Sequence, residues 1–96
     1  MFLIRNRFTA KPGMASKLAS VLRDAMANAP FKVRILTDAV GEFNTVEMEH
    51  EVASLTEFEQ RMKEYSEGAM GKDFAEKMKT YTDLYVTGRR EILRVM

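Results

Sequence analysis

The sequence predicts an α+β fold: a four-stranded antiparallel sheet with helices on one face, in the element order β-α-β-β-α(α)-β. Two observations lead there. Short stretches alternate apolar and polar residues with the period of two that a half-buried strand requires. Between them lie stretches whose apolar residues recur at the 3.6-residue spacing of a helix. A third observation, the length of 96 residues, leaves room for one core, so residues 1–96 are read as a single domain.

The first strand is FLIRNRF. Phe2, Ile4, Asn6 and Phe8 point one way, and Leu3, Arg5 and Arg7 point the other. Lys11–Gly13 (KPG) breaks it. Met14, Leu18, Val21, Leu22, Ala25 and Met26 then form one stripe of a helix, which runs to about Asn28 and stops before Pro30. FKVRILT alternates again, with Phe31, Val33 and Ile35 opposite Lys32 and Arg34. DAVGEFN reads as a hairpin connection and TVEMEHEV as the third strand.

Ser54 starts the next helix. In SLTE the Ser54 hydroxyl can accept from the Glu57 amide while the Glu57 carboxylate returns to the Ser54 amide. Leu55, Phe58, Met62 and Tyr65 supply its apolar face. SEGAMGK interrupts it, and a second helix follows through Phe74, Met78 and Tyr81 toward Tyr85. YVTGRREILRVM is the fourth strand, irregular near Gly88. Right-handed crossovers then place both helical segments on one face of a sheet in the order 4-1-3-2, which is the ferredoxin-like arrangement.

Composition narrows the chemistry. Fifteen basic and fourteen acidic residues leave a formal charge of +1, so no electrostatic footprint for nucleic acid or an anionic membrane is expected. Without cysteine there is no thiolate ligand or cysteine nucleophile. No apolar run reaches the ~20 residues of a bilayer span, and the N-terminus lacks the pattern of a secretory signal. A cytoplasmic location is the expectation. Eight methionines read as flexible core filler.

VEMEHEV places three glutamates beside the only histidine, which invites a metal reading. Strand periodicity argues against it: Glu47, Glu49 and Glu51 share one face, and His50 lies on the other with Val46, Met48 and Val52. No metal site is expected. In the 4-1-3-2 order the glutamates meet Arg5 and Arg7 on one side and Lys32 and Arg34 on the other, forming a cross-strand charge ladder. On the helix-covered face, Asn6 and His50 interrupt an apolar surface from neighbouring strands. Either they hydrogen-bond each other, or they meet water at a wet end of the core, or they are polar contacts of a ligand pocket between sheet and helices.

The element order, NRF in the first strand, PG before the first helix, GEFNTVEME across the hairpin and GRRE entering the last strand together resemble the dimeric α/β-barrel superfamily. The nearest branches are NIPSNAP-like and antibiotic-biosynthesis-monooxygenase-like domains. The resemblance covers nearly the whole chain. It implies a homodimer with the sheets face to face, so that Arg5, Arg7, Arg34, Glu47 and Glu49 line the interface, with Leu3 and Leu36 adding apolar contact. Some members are cofactor-independent oxygenases of phenolic or quinol substrates, and others degrade haem. In the haem branch an asparagine in the first strand works with a tryptophan and a helix-borne histidine. Asn6 matches the first by position, but the chain has no tryptophan and its histidine is in the third strand.

Two functions follow. One is a small homodimeric NIPSNAP-like binding or structural module with no catalysis of its own. The other is a cofactor-independent monooxygenase-like enzyme acting on a small aromatic or quinol compound. In either, no cofactor is expected, and Asn6, His50, Tyr81 and Tyr85 are the candidate ligand contacts. No catalytic group is assigned, because no serine–histidine–acid, phosphate-loop or paired-carboxylate signature stands out.

Overall fold

A computed structural model describes residues 1–96. Its elements are β1 (Phe2–Ala10), α1 (Ala15–Ala25), β2 (Val33–Thr37), β3 (Thr45–Val52), α2 (Leu55–Ser66), α3 (Gly71–Lys77) and β4 (Tyr85–Arg94), with a 3₁₀ turn at Tyr81–Asp83 before β4. The sheet order is β2-β3-β1-β4, and every neighbouring pair is antiparallel. This is the ferredoxin-like architecture that the order of elements predicts.

The register sorts the side chains as alternation requires. Ile4 faces His50, Asn6 faces Met48 and Phe8 faces Val46, while Arg5 faces Glu49 and Arg7 faces Glu47. Leu18, Leu22 and Val46 are fully buried and anchor the core under α1, and Ile4 is fully buried outside that cluster. Burying each of these aliphatic side chains contributes about 1.5–3 kcal/mol.

The helix layer is uneven. Leu18, Leu22 and Ala25 of α1 are buried, whereas α2 and α3 contribute no fully buried residue. α2 leans on β3, and α3 touches α1. The half of the sheet formed by β1 and β4 is therefore only loosely roofed.

Local chemistry sets several boundaries differently from the periodicity. α1 ends at Ala25 rather than near Asn28; the Ala27 and Ala29 amides turn back to Asp24 and Met26 in tight i→i−3 bonds ahead of Pro30. β2 begins at Val33, because Phe31 leaves the strand to stack on His50 at 5.2 Å. The second helix stops at Lys77. Tyr81 and Tyr85 pack on Phe8, with ring centroids 6.3 and 4.9 Å away, instead of extending the helix, and Tyr85 opens β4.

The Ser54 cap forms, with its Oγ accepting from the Glu57 amide at 3.2 Å. The Glu57 carboxylate accepts from Ala53 at 2.7 Å, one residue earlier than the capping-box pattern predicts. α2 closes with Gly68 at φ +75°, the Gly68 amide on Tyr65 O and the Ala69 amide on Glu64 O, a Schellman motif.

The irregularity in β4 lies not at Gly88 but at Val86, which the register skips between Thr9–Thr87 and Ala10–Tyr85. Gly88 pairs regularly with Phe8. A β-carbon there would sit 3.1 Å from the Phe8 ring, so glycine lets that ring lie flat across the strand.

Candidate functional site

The two faces of the sheet differ in chemistry. On the open face Glu49 is 4% exposed and accepts from Arg5 Nε at 3.0 Å and Arg34 Nη2 at 2.6 Å. Glu47 lies 3.6 Å from Arg7 and 3.8 Å from Arg5, and Arg7 also reaches Glu42 at 3.2 Å. Burial works to raise the Glu49 pKa, but the hydrogen bonds and charges of Arg34 and Arg5 outweigh it and hold the carboxyl below its usual range. Lys32 precedes β2 and joins no ion pair, so the expected ladder is carried by arginines alone. The glutamates and His50 do not gather, and no cluster of metal-ligating side chains forms.

On the other face, the loose roof leaves a cavity of about 570 Å³ between β1, β4 and the two C-terminal helices. Asn6, His50, Tyr81 and Tyr85 all line it. Its walls are otherwise soft and apolar. Five of the eight methionines (Met26, Met48, Met62, Met70 and Met78) are there, with Phe8, Phe74 and Tyr65. Five methionines thus surround one cavity, and two of them, Met48 and Met78, also pack against the core, as core filler would.

Asn6 and His50 do not satisfy each other. Each takes a different arginine. Asn6 Oδ1 accepts from Arg90 Nε at 2.8 Å, and His50 Nδ1 lies 2.8 Å from Arg61 Nη1. The reason is register: Asn6 faces Met48 and Arg90, while His50 faces Ile4, so the two residues are two positions apart along the strands.

A guanidinium only donates, so His50 Nδ1 is the acceptor and the neutral ring carries its proton on Nε2. Burial, and then the charges of Arg61 and Arg90, push the His50 pKa down to about 4, against a smaller opposing pull from Glu57. The imidazole is neutral at pH 7, with its one lone pair already engaged.

Arg61 is heavily engaged through its two terminal nitrogens. Besides His50, it donates to Glu51 O at 2.9 Å and to Glu57 Oε1 at 2.9 Å, and its guanidinium lies 3.9 Å over the Phe31 ring. It clamps α2 to β3. Arg90 makes no ion pair; beyond Asn6 its company is the Phe58 ring, 5.4 Å away. Burial raises the pKa of Tyr81, with Tyr65 adding to the effect, and burial then Tyr81 raises that of Tyr85. Both phenols keep their protons at neutral pH.

The sequence reading missed both arginines. Arg61 directly precedes Met62 of the α2 stripe, and Arg90 has the strand parity of Asn6 once β4 is aligned through Gly88. That parity is readable only after the skip at Val86 is known.

No protein-family model matches the sequence, and no curated protein matches it. Solved structures with the same fold are found. Protein Atu4242 of Agrobacterium tumefaciens, described as a NIPSNAP family protein of unknown function, superposes with a TM-score of 0.78 at 17% identity, over 100% of this chain and 94% of that one. A NIPSNAP domain protein from Burkholderia xenovorans gives 0.76 at 11% identity, over 100% and 95%. SnoaB, a cofactor-independent oxygenase from Streptomyces nogalater, gives 0.67 at 15% identity, over 99% and 92%. At these identities the likeness is one of fold, which the chain shares with NIPSNAP proteins and monooxygenase-like proteins alike.

Proposed function

We propose that the protein is a homodimeric binding module that holds a small aromatic compound between its sheet and its C-terminal helices. The observation that carries this reading is the cavity of about 570 Å³ with Asn6 and His50 among its lining residues. Its size falls within the range of small-molecule sites, and its composition, soft apolar walls with a few polar groups, is that of a ligand pocket. Methionine and tyrosine walls suit a flat apolar body, because thioethers adapt in shape and pack favourably on rings.

A second reading, cofactor-independent oxygenation of a phenolic or quinol compound, is supported by the fold shared with SnoaB. The chemistry of the cavity favours binding over turnover. Such a reaction begins by removing a proton from the substrate, and a base works best with a pKa near the working pH. His50, with a pKa of about 4 and Nδ1 on Arg61, is a weak base, and Tyr81 and Tyr85 are protonated.

Ligand-observed NMR with a set of aromatic fragments tests the binding reading. Fragments should bind the wild type and be displaced from Met62→Trp, which fills the cavity from a helix with no buried residue. A wild type that binds none of them overturns it. Oxygen uptake with a quinol separates the second reading: binding without uptake is the expected result.

A further inference from the structure

The polar atoms of the cavity share one character. None of its lining residues is acidic, in a chain with 14 aspartates and glutamates. His50 offers only a donor, since Arg61 occupies Nδ1. Asn6 is buried, yet its Nδ2 makes no hydrogen bond within the chain and is not sealed from the cavity. Arg90 spends Nε on Asn6 and keeps both terminal nitrogens free, with no carboxylate in reach. Asn6 therefore fixes one edge of a planar fork whose remaining donors are unspent.

We propose that the occupant is an apolar monoanion, one oxyanion on a flat hydrocarbon body, with the oxyanion held by Arg90 and Asn6 Nδ2. The inference rests on the binding reading above and deepens it. A carboxylate or phenolate accepts from a guanidinium in shorter, stronger hydrogen bonds than a neutral hydroxyl makes. A cation with no carboxylate near it leaves the site's charge uncompensated until such a ligand enters. Asn6 acts as a positioning residue for Arg90 through Oδ1 and as a direct contact through Nδ2. Arg61 is the weaker anchor, because its charge is already paired with Glu57 and both its terminal nitrogens already bond, to His50, Glu51 and Glu57.

Calorimetric titration with 2-naphthoate and with its neutral counterpart 2-naphthalenemethanol tests this on the intact chain. The anion should bind about tenfold more tightly than the alcohol, the scale of one charge-assisted contact. Arg90→Gln, which removes the guanidinium, should still fold cooperatively in a thermal melt, with a modestly lower midpoint from the lost bond to Asn6, and should narrow that gap to under about threefold. Asn6→Asp, which sets a carboxylate against Arg90, should abolish the preference while the alcohol still binds. Equal affinities in the wild type, or an undiminished preference in Arg90→Gln, overturn the anion inference and leave the binding reading standing. If neither compound binds the wild type, both fall.

Discussion

The imidazole of His50 resists protonation in the folded chain and not in the unfolded one. Its ordinary pKa of 6.5 drops to about 4 on folding. As pH falls between those values, the unfolded chain takes up a proton that the folded chain refuses, so stability is full above about 6.5 and declines toward 4. Thermal melts across that window should show the decline, and His50→Gln should flatten it. Glu49 acts in a lower window. Its depressed pKa means its contribution is complete above the ordinary 4.5 and is lost as pH falls through the folded value. Glu49→Gln should cost about 1–2 kcal/mol at pH 7 in denaturant melts, the value of charge-assisted bonds discounted for solvent. The discount is that of a single chain, in which the side chains of its partners Arg5 and Arg34 are 33% and 62% exposed; a second copy covering this face raises the cost. At this scale the sequence disclosed which face each residue takes, because strand parity is strict. It hid the partners of Asn6 and His50, because those come from a helix and from a strand with a skipped residue.

Among the elements, α2 is held lightly for its length. It buries no residue of its own and is fixed by the Ser54 cap, the Arg61 clamp and contacts along β3. Ser54→Ala should therefore cost about 1 kcal/mol and act locally. Amide hydrogen exchange should speed up across Leu55–Ser66 while α1, with its three buried residues, is unchanged. Equal acceleration in both helices would contradict the uneven roof. Element order was legible from periodicity, as was the Ser54 start, since both depend on neighbours in sequence. The start of β2 and the end of α3 were not, because Phe31, Tyr81 and Tyr85 answer to tertiary partners, namely His50 and Phe8.

As a whole the chain is a slab of 36 × 36 × 19 Å, with helices on one broad side and the Arg–Glu ladder bare on the other. Leu3, Leu36 and Leu93 share that bare face by register. Its central charges, Arg5, Arg7, Arg34, Glu47 and Glu49, are already paired within one chain, so a second copy could cover that centre without stranding them, provided the unpaired Lys32 and Glu51 stay at the wet rim. Light scattering at micromolar concentration should give about twice the 11.0 kDa chain mass. A monomer across that range would refute pairing through this face.

The crowding of sulfur around one hollow has a further consequence. A thioether that gains a single oxygen becomes a polar, chiral sulfoxide. Here five such conversions would fall around a single cavity. Mild peroxide should then turn a greasy chamber into a hydrated one, weakening its hold on any hydrocarbon while the sheet, with its core of Ile4, Leu18, Leu22 and Val46, stays folded. Methionine sulfoxide reductase should restore the grip, making the chamber's affinity a reversible record of oxidant exposure.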